Sequence, residues 1–235
     1  MKALSSNRWS MALRAVGLAT VIAASSASAA VVWDLNPNDL HAPAGTSTLV
    51  FTQNNQQITA RGYNNFGGEG QATELFFKNR PPDGGANESG LGLTNSAHNE
   101  LNADNNGPLQ FIQLDLTSIL MNGAISGQIA VTSLQNGEGF QLFGSNFQGL
   151  LGTAISGAFT GLAFDDKFVA IPDFGAFKFI SVVAATAGSH VLPSRFAAEF
   201  TPVPEVGALL PIIGLLVAVG STSVLRRRRA AAQAA

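Results

Sequence analysis

Residues 110–116, Gln-Phe-Ile-Gln-Leu-Asp-Leu, are the stretch that decides the fold class. Ile112, Leu114 and Leu116 alternate with residues 111, 113 and 115, so one face of the stretch is continuously apolar. Successive side chains of a β-strand point to opposite faces of its sheet. The alternation therefore predicts a strand with one face in a hydrophobic core.

Short segments of the same kind fill the middle of the chain, separated by clusters of Gly, Asn and Asp. Nine more candidate strands are predicted at residues 31–35, 48–52, 57–61, 72–78, 124–133, 140–143, 168–171, 177–185 and 196–201. Asn-Gly pairs at 106–107, 122–123 and 136–137 supply the positive φ angles that tight turns require. Helix is expected only as a single turn, at 116–121 or 149–155. About ten strands without crossover helices predict an all-β fold, an antiparallel two-sheet sandwich of jelly-roll type.

The first 29 residues have the composition of a signal peptide. Three basic residues precede an apolar run at 15–24, and Ala27 and Ala29 then form the small-x-small site that signal peptidase recognises. We therefore expect an N-terminal signal helix, export across the inner membrane, and cleavage between Ala29 and Ala30.

A charge-free run of twenty residues, 206–225, lies near the C-terminus. As a helix it would be about 30 Å long, the thickness of the hydrocarbon core of a bilayer, so it predicts a transmembrane helix. Pro204-Glu205 precedes the run, and a basic cluster follows it that consists of Arg226, Arg227, Arg228 and Arg229. Because arginines beside a span are retained on the cytoplasmic side, the preceding domain is expected outside the inner membrane. One interpretation is a plain C-terminal anchor.

The Pro-Glu dipeptide, the single apolar helix and the arginine cluster together resemble the PEP-CTERM sorting tail. This family consists of exported proteins of polysaccharide-producing Gram-negative bacteria. The resemblance implies that a membrane transpeptidase, exosortase, cleaves near Pro204-Glu205 and releases the protein or transfers it to another carrier. Val206 stands where the family's motif has its second proline. Residues 30–201 are also similar to a β-sandwich ectodomain found ahead of such tails.

Charge and composition exclude several function classes. Residues 30–201 contain six basic and fourteen acidic residues, a net charge of about −8 that repels phosphates, so we expect no nucleic-acid partner. The chain has no cysteine, which excludes disulfides and thiolate chemistry. His41, His98 and His190 stand isolated in predicted loops, and no Gly-x-Ser-x-Gly motif is present. We therefore predict no catalytic residues and no enzymatic activity.

Residues 81–108 form a long polar segment that is expected to be an extended loop. Its oxygen-bearing side chains make it the candidate site for calcium, which takes six to eight oxygen ligands. The candidate ligands are Glu100, Asn102 and Asp104, with Glu88 and Asn105 nearby. The alternative is a solvated Asx-rich turn that needs no metal.

These observations predict a signal peptide at 1–29, a β-sandwich ectodomain at 30–201 and a sorting tail at 202–235. The expected function is that of a non-enzymatic protein of the cell surface or exopolysaccharide, processed by signal peptidase and exosortase and held transiently in the inner membrane. The alternative is a carbohydrate- or calcium-binding module on a plain membrane anchor. For sugar stacking this domain offers only two large polar rings, Trp33 and Tyr63.

Overall fold

The computed structural model of the chain describes residues 30–79, 88–94 and 96–201. These residues form an all-β, antiparallel fold with very little helix. The strands in chain order are β1 Ala30–Asp34, β2 Ala42–Pro43, β3 Thr48–Gln53, β4 Gln56–Phe66, β5 Glu69–Ala72, β6 Leu75–Lys78, β7 Gly90–Leu93, β8 Leu101–Asp104, β9 Gly107–Pro108, β10 Gln110–Asp115, β11 Ala124–Thr132, β12 Gly139–Ser145, β13 Thr153–Ala154, β14 Phe159–Thr160, β15 Lys167–Ala170, β16 Phe179–Ala184 and β17 His190–Phe200. One α-helix, α1 (Thr117–Met121), and two 3-10 turns, Ala97–Asn99 and Leu162–Phe164, complete the described elements.

The largest sheet has eight strands, with the order β13-β12-β16-β10-β4-β3 and with β14 and β5 added on β12 and β4. The stretch that predicted the fold class is β10, near the middle of this sheet. Ile112 lies opposite Gly62 of β4 on one side and Val182 of β16 on the other. Ile112 and Leu114 are fully buried, as their alternation predicted, but Phe111 and Gln113 on the opposite face are fully buried as well.

A second sheet contains six strands in the order β15-β11-β17-β8-β9, with β1 also paired to β17. The long strand β17 organises this sheet, since β11 and β1 pair along opposite edges of its C-terminal part. Trp33 of β1 is the register partner of Phe196 of β17, and their ring centroids are 5.4 Å apart. A third, small sheet has the order β2-β6-β7.

One hydrophobic cluster contains residues from both large sheets. Trp33 and Phe196 of the six-stranded sheet and Ile112 and Leu142 of the eight-stranded sheet are all buried within it. The indole nitrogen of Trp33 also donates a hydrogen bond to the Gln56 carbonyl of β4, at 3.2 Å. Each fully buried side chain of this kind stabilises the fold by about 1.5–3 kcal/mol.

Each of the ten predicted strands overlaps a strand of the structure, and the helical turn predicted at 116–121 is α1. Gly107, Gly123 and Gly137 of the predicted Asn-Gly turns have positive φ. The alternative position considered for this turn, 149–155, is not helical, because residues 153–154 are strand β13.

The prediction of an extended loop at 81–108 was wrong, because β7, β8 and β9 fall within it. All four residues of β7, Gly-Leu-Gly-Leu, are buried, so this strand lacks the polar positions that make an alternating pattern visible. Its glycines allow close approach: a Cβ on Gly92 would lie 1.8 Å from the Asn99 carbonyl oxygen.

The predicted signal helix and the predicted transmembrane helix at 206–225 lie outside the described residues. Among the residues that are described, no helix has the length and apolarity needed to cross a membrane.

Candidate functional site

A buried ionic group, which we call the Lys78 cluster, consists of Lys78, Glu88, Glu100 and Ser133. Lys78 ends β6, Glu88 lies just before β7, Glu100 lies just before β8, and Ser133 follows β11. Lys78 and Glu100 are each only 2% exposed, and Glu88 and Ser133 are buried as well. Charged side chains are rarely buried to this degree unless they are paired, so the geometry of the cluster is informative.

The two carboxylates converge on one ammonium group. The Nζ of Lys78 lies 2.9 Å from Oε2 of Glu88, and it donates a second hydrogen bond to Oε1 of Glu100. The other carboxylate oxygen of Glu100, Oε2, accepts a hydrogen bond of 3.0 Å from the Ser133 hydroxyl. Both oxygens of Glu100 are therefore satisfied inside the protein.

The electrostatics of the cluster favour bound protons. Burial opposes the charge of Lys78, but the hydrogen bonds and charges of Glu100 and Glu88 outweigh that effect and raise its pKa. Burial raises the pKa of Glu100, although Lys78 and Ser133 act against it. Two carboxylates and one ammonium leave a net charge of −1 when all are ionised, and a buried group with excess negative charge holds protons more tightly.

Lys78 and Ser133 are each positioned by a local feature of the backbone. The side-chain nitrogen of Asn36, itself buried, donates to the Lys78 carbonyl at 2.9 Å and so holds the end of β6. Ser133 has φ of +67°, a left-handed conformation that is strained for a residue with a Cβ. The strain accompanies the turn that brings its hydroxyl onto Glu100.

The structure places the three calcium candidates in different surroundings. Glu100 belongs to the Lys78 cluster. The side-chain Nδ2 of Asn102 donates to the Glu100 carbonyl at 2.9 Å, while its side-chain oxygen is buried without a hydrogen-bond partner. Asp104 instead closes the turn between β8 and β9, where it accepts the backbone N–H of Asn106 at 2.7 Å. Within the described ranges, no three His, Asp or Glu side chains are grouped so that they could hold a metal ion.

Two of the histidines are neighbours, which corrects the expectation that each stands alone. The rings of His98 and His190 meet edge to face, with centroids 4.9 Å apart. Burial and the nearby His98 lower the pKa of His190, and Lys78 adds to that shift while Glu138 opposes it. The Nδ1 atom of His190 is buried without a hydrogen-bond partner, and Asn102 is the register partner of His190 across β8 and β17.

The two large polar rings considered for sugar binding are both buried. Trp33 lies in the shared core, and Tyr63 stacks on Phe111 with ring centroids 4.9 Å apart. Tyr63 and Phe111 belong to a second, smaller hydrophobic cluster. In the same strand as Phe111, the side chain of Gln113 donates a hydrogen bond to the Leu150 carbonyl and accepts one from the Gly149 N–H. Burial also raises the pKa of the Tyr63 hydroxyl.

Of the predicted processing residues, only Ala30 is described. It opens β1 and is the register partner of Glu199 on β17. The others, Ala27, Ala29, Pro204, Glu205 and Arg226 to Arg229, lie outside the described residues.

The sequence analysis did not identify Lys78 or Ser133 as members of a candidate site. The one available signal was a lysine at the end of the otherwise apolar segment Leu-Phe-Phe-Lys, 75–78. Its partners are 10 and 22 positions away in the sequence, and Ser133 is more distant still. Only the folded sheets bring them together.

In comparisons with protein-family models, with curated proteins and with solved structures, nothing matches this chain.

Proposed function

We propose that the chain is an exported, non-enzymatic protein of the cell surface or exopolysaccharide matrix, sorted through its C-terminal tail by an exosortase-type transpeptidase. It enters the inner membrane transiently through residues 206–225 and leaves it when the tail is cut near Pro204-Glu205. The proposal rests on the sequence of the two chain ends and on one observation about the folded part.

That observation is the pairing of the two terminal strands. Ala30, the residue after the predicted signal cleavage, lies opposite Glu199, three positions before Pro202. Trp33 and Phe196 anchor the same pair of strands in the core. Because the two predicted processing sites precede β1 and follow β17, signal peptidase and the transpeptidase would act without removing any residue of this pair of strands.

In the finer description we propose, the six- and eight-stranded sheets are the two layers of a jelly-roll-like sandwich. The shared hydrophobic cluster supports this arrangement, since Phe196 from one sheet and Ile112 and Leu142 from the other belong to it. The third sheet then covers one side of that core through Leu75 and Leu91.

The burial of the Lys78 cluster supports a non-enzymatic role. It joins three ionisable side chains, and a catalytic site must let a substrate reach its reacting atoms. With Lys78 and Glu100 each 2% exposed, this group faces the interior of the protein.

Processing of a Glu205→Ala variant tests the proposal. In cells with an active exosortase, we expect the variant to be exported and inserted but to accumulate as uncut precursor in the membrane. Glu199→Ala is the matched control, because it removes the same charge from an exposed position six residues upstream. Equal processing of both variants would contradict sorting at Pro204-Glu205.

A second candidate, a calcium-binding module on a plain anchor, is favoured by one feature, the buried and unpartnered side-chain oxygen of Asn102. An amide oxygen is a suitable ligand for Ca²⁺. Calorimetric titration of the protein with Ca²⁺ separates the two candidates. A structural ectodomain gives no binding heat, whereas a calcium module gives heat that Asn102→Leu abolishes.

A further inference from the structure

We propose that the Lys78 cluster forms an intramolecular isopeptide bond between Nζ of Lys78 and Cδ of Glu100, with Glu88 as its acid–base catalyst. The bond would be a covalent modification that the fold itself produces. It is independent of where the protein is sorted.

The two reacting groups are already in position. Lys78 Nζ is in hydrogen-bond contact with the carboxyl group of Glu100, and both side chains are almost fully closed to solvent. Holding an amine against a carboxyl group makes their condensation effectively unimolecular, which removes a large entropic part of the barrier. Exclusion of bulk water also disfavours the reverse reaction, hydrolysis.

Two further groups that could assist the reaction lie beside them, the Glu88 carboxylate and the Ser133 hydroxyl. Glu88 Oε2 lies 2.9 Å from Nζ, within reach of the protons that the amine must lose. The Ser133 hydroxyl lies 3.0 Å from Oε2 of Glu100, where it can donate to the oxyanion of a tetrahedral intermediate.

The reaction balances without any further reagent. Glu88 takes a proton from the Lys78 ammonium group, and the neutral amine attacks Cδ of Glu100. The Nζ–Cδ bond forms as one Cδ–O bond breaks, and the departing oxygen leaves as water with the two protons lost by nitrogen, relayed by Glu88. An ammonium and a carboxylate become an amide and one water molecule, Glu88 ends in its starting state, and nothing is oxidised or reduced.

The bond would tie the end of β6 to the residue before β8 and enclose β7. A cross-link of this kind limits the conformations of the unfolded chain, as a disulfide does. The chain has no cysteine with which to make a disulfide. An amide cross-link would therefore serve an exported protein in the same way and would resist reduction.

Peptide mapping of the full-length, folded protein tests the proposal. Chymotrypsin cuts after large apolar residues, so cleavage at Leu91 and Leu93 separates the peptide of Lys78 from that of Glu100. We expect one linked species whose mass is the sum of the two peptides minus one water, in place of the free peptides. Recovery of both free peptides, unmodified, from folded wild-type protein would show an ion pair only and overturn the proposal.

Variants define the roles. Lys78→Arg keeps the positive charge but has no nucleophilic amine, so the linked species should vanish, while Lys178→Arg at an exposed site should retain it. Glu88→Gln should lower the linked fraction at least several-fold, with folding checked by circular dichroism. A fully linked, folded Glu88→Gln protein would contradict the role of Glu88, and a linked Lys78→Arg protein would contradict the assigned bond.

Discussion

The interior of this protein contains two regions of opposite chemistry. Around Trp33 and Phe196 the residues are apolar, come from both large sheets, and require only close packing. Around Lys78 and Glu100 the residues are charged, come from the ends of short strands, and require complete pairing. Burial stabilises the first region directly, whereas in the second it opposes the charges and the partners must compensate. Removing side-chain volume should therefore lower the stability of the first region, whereas removing a charged partner should lower the stability of the second.

The largest expected effect is in the apolar region. Phe196→Ala removes a fully buried ring that packs on Trp33, and we expect it to lower the free energy of unfolding by about 4 kcal/mol. Urea denaturation followed by tryptophan fluorescence measures the change. Phe147→Ala is the matched control, because that ring is 69% exposed and its loss should change stability by less than about 0.5 kcal/mol. Equal effects of the two variants would contradict the assignment of the core.

In the charged region, Lys78→Met removes the side-chain nitrogen, so neither the ion pairs nor the proposed amide bond can form, and two buried carboxylates stay unpaired. We expect a loss of about 3 kcal/mol, although methionine fills a similar volume. The control is Lys167→Met, which removes the same charge from an exposed position and should be nearly neutral. If Lys78→Met were as stable as the wild type, the pairing of the cluster would not be what holds β6 and β8 in place.

A smaller effect is expected for Ser133→Ala. The variant removes one buried hydrogen bond to the Glu100 side chain and should lower the free energy of unfolding by about 1.5 kcal/mol. Ser118→Ala, at an exposed position of α1, provides the comparison under the same denaturation conditions. A neutral Ser133→Ala would mean that the serine does not support Glu100.

The smallest effect is a pH dependence at the edge of the charged region. The pKa of His190 lies below 6.5 in the folded protein, so the unfolded chain binds more protons there. Stability should therefore decrease as the pH falls from about 6.5 through the lowered folded-state pKa of His190. His190→Gln should remove this component when unfolding is measured across that range. If stability fell more steeply with decreasing pH in the variant than in the wild type, His190 would stabilise the fold when protonated. That result would contradict a lowered pKa caused by burial of the ring.

The sequence predicted the apolar region well and the charged region poorly, for one physical reason. Alternation such as that of Ile112 and Leu114 is a local signal, which Gln113 and Asp115 make visible although both faces of β10 are buried. Strand β7 has no such signal because its four residues, Gly-Leu-Gly-Leu, include no polar one, so residues 90–93 were assigned to a loop. The pairing of Lys78 with Glu88 and Glu100 is a property of the assembled sheets, and no local spacing encodes it.

Removal of both ends of the chain from the mature protein is the centre of the proposed function. Mass spectrometry of the N- and C-terminal peptides of the protein, recovered from the envelope and medium of cells with an active exosortase, tests it most directly. We predict an N-terminus at Ala30 and a C-terminus near Pro204-Glu205. Mature protein that still carries Leu225 and the four arginines would contradict sorting and leave a plain membrane anchor.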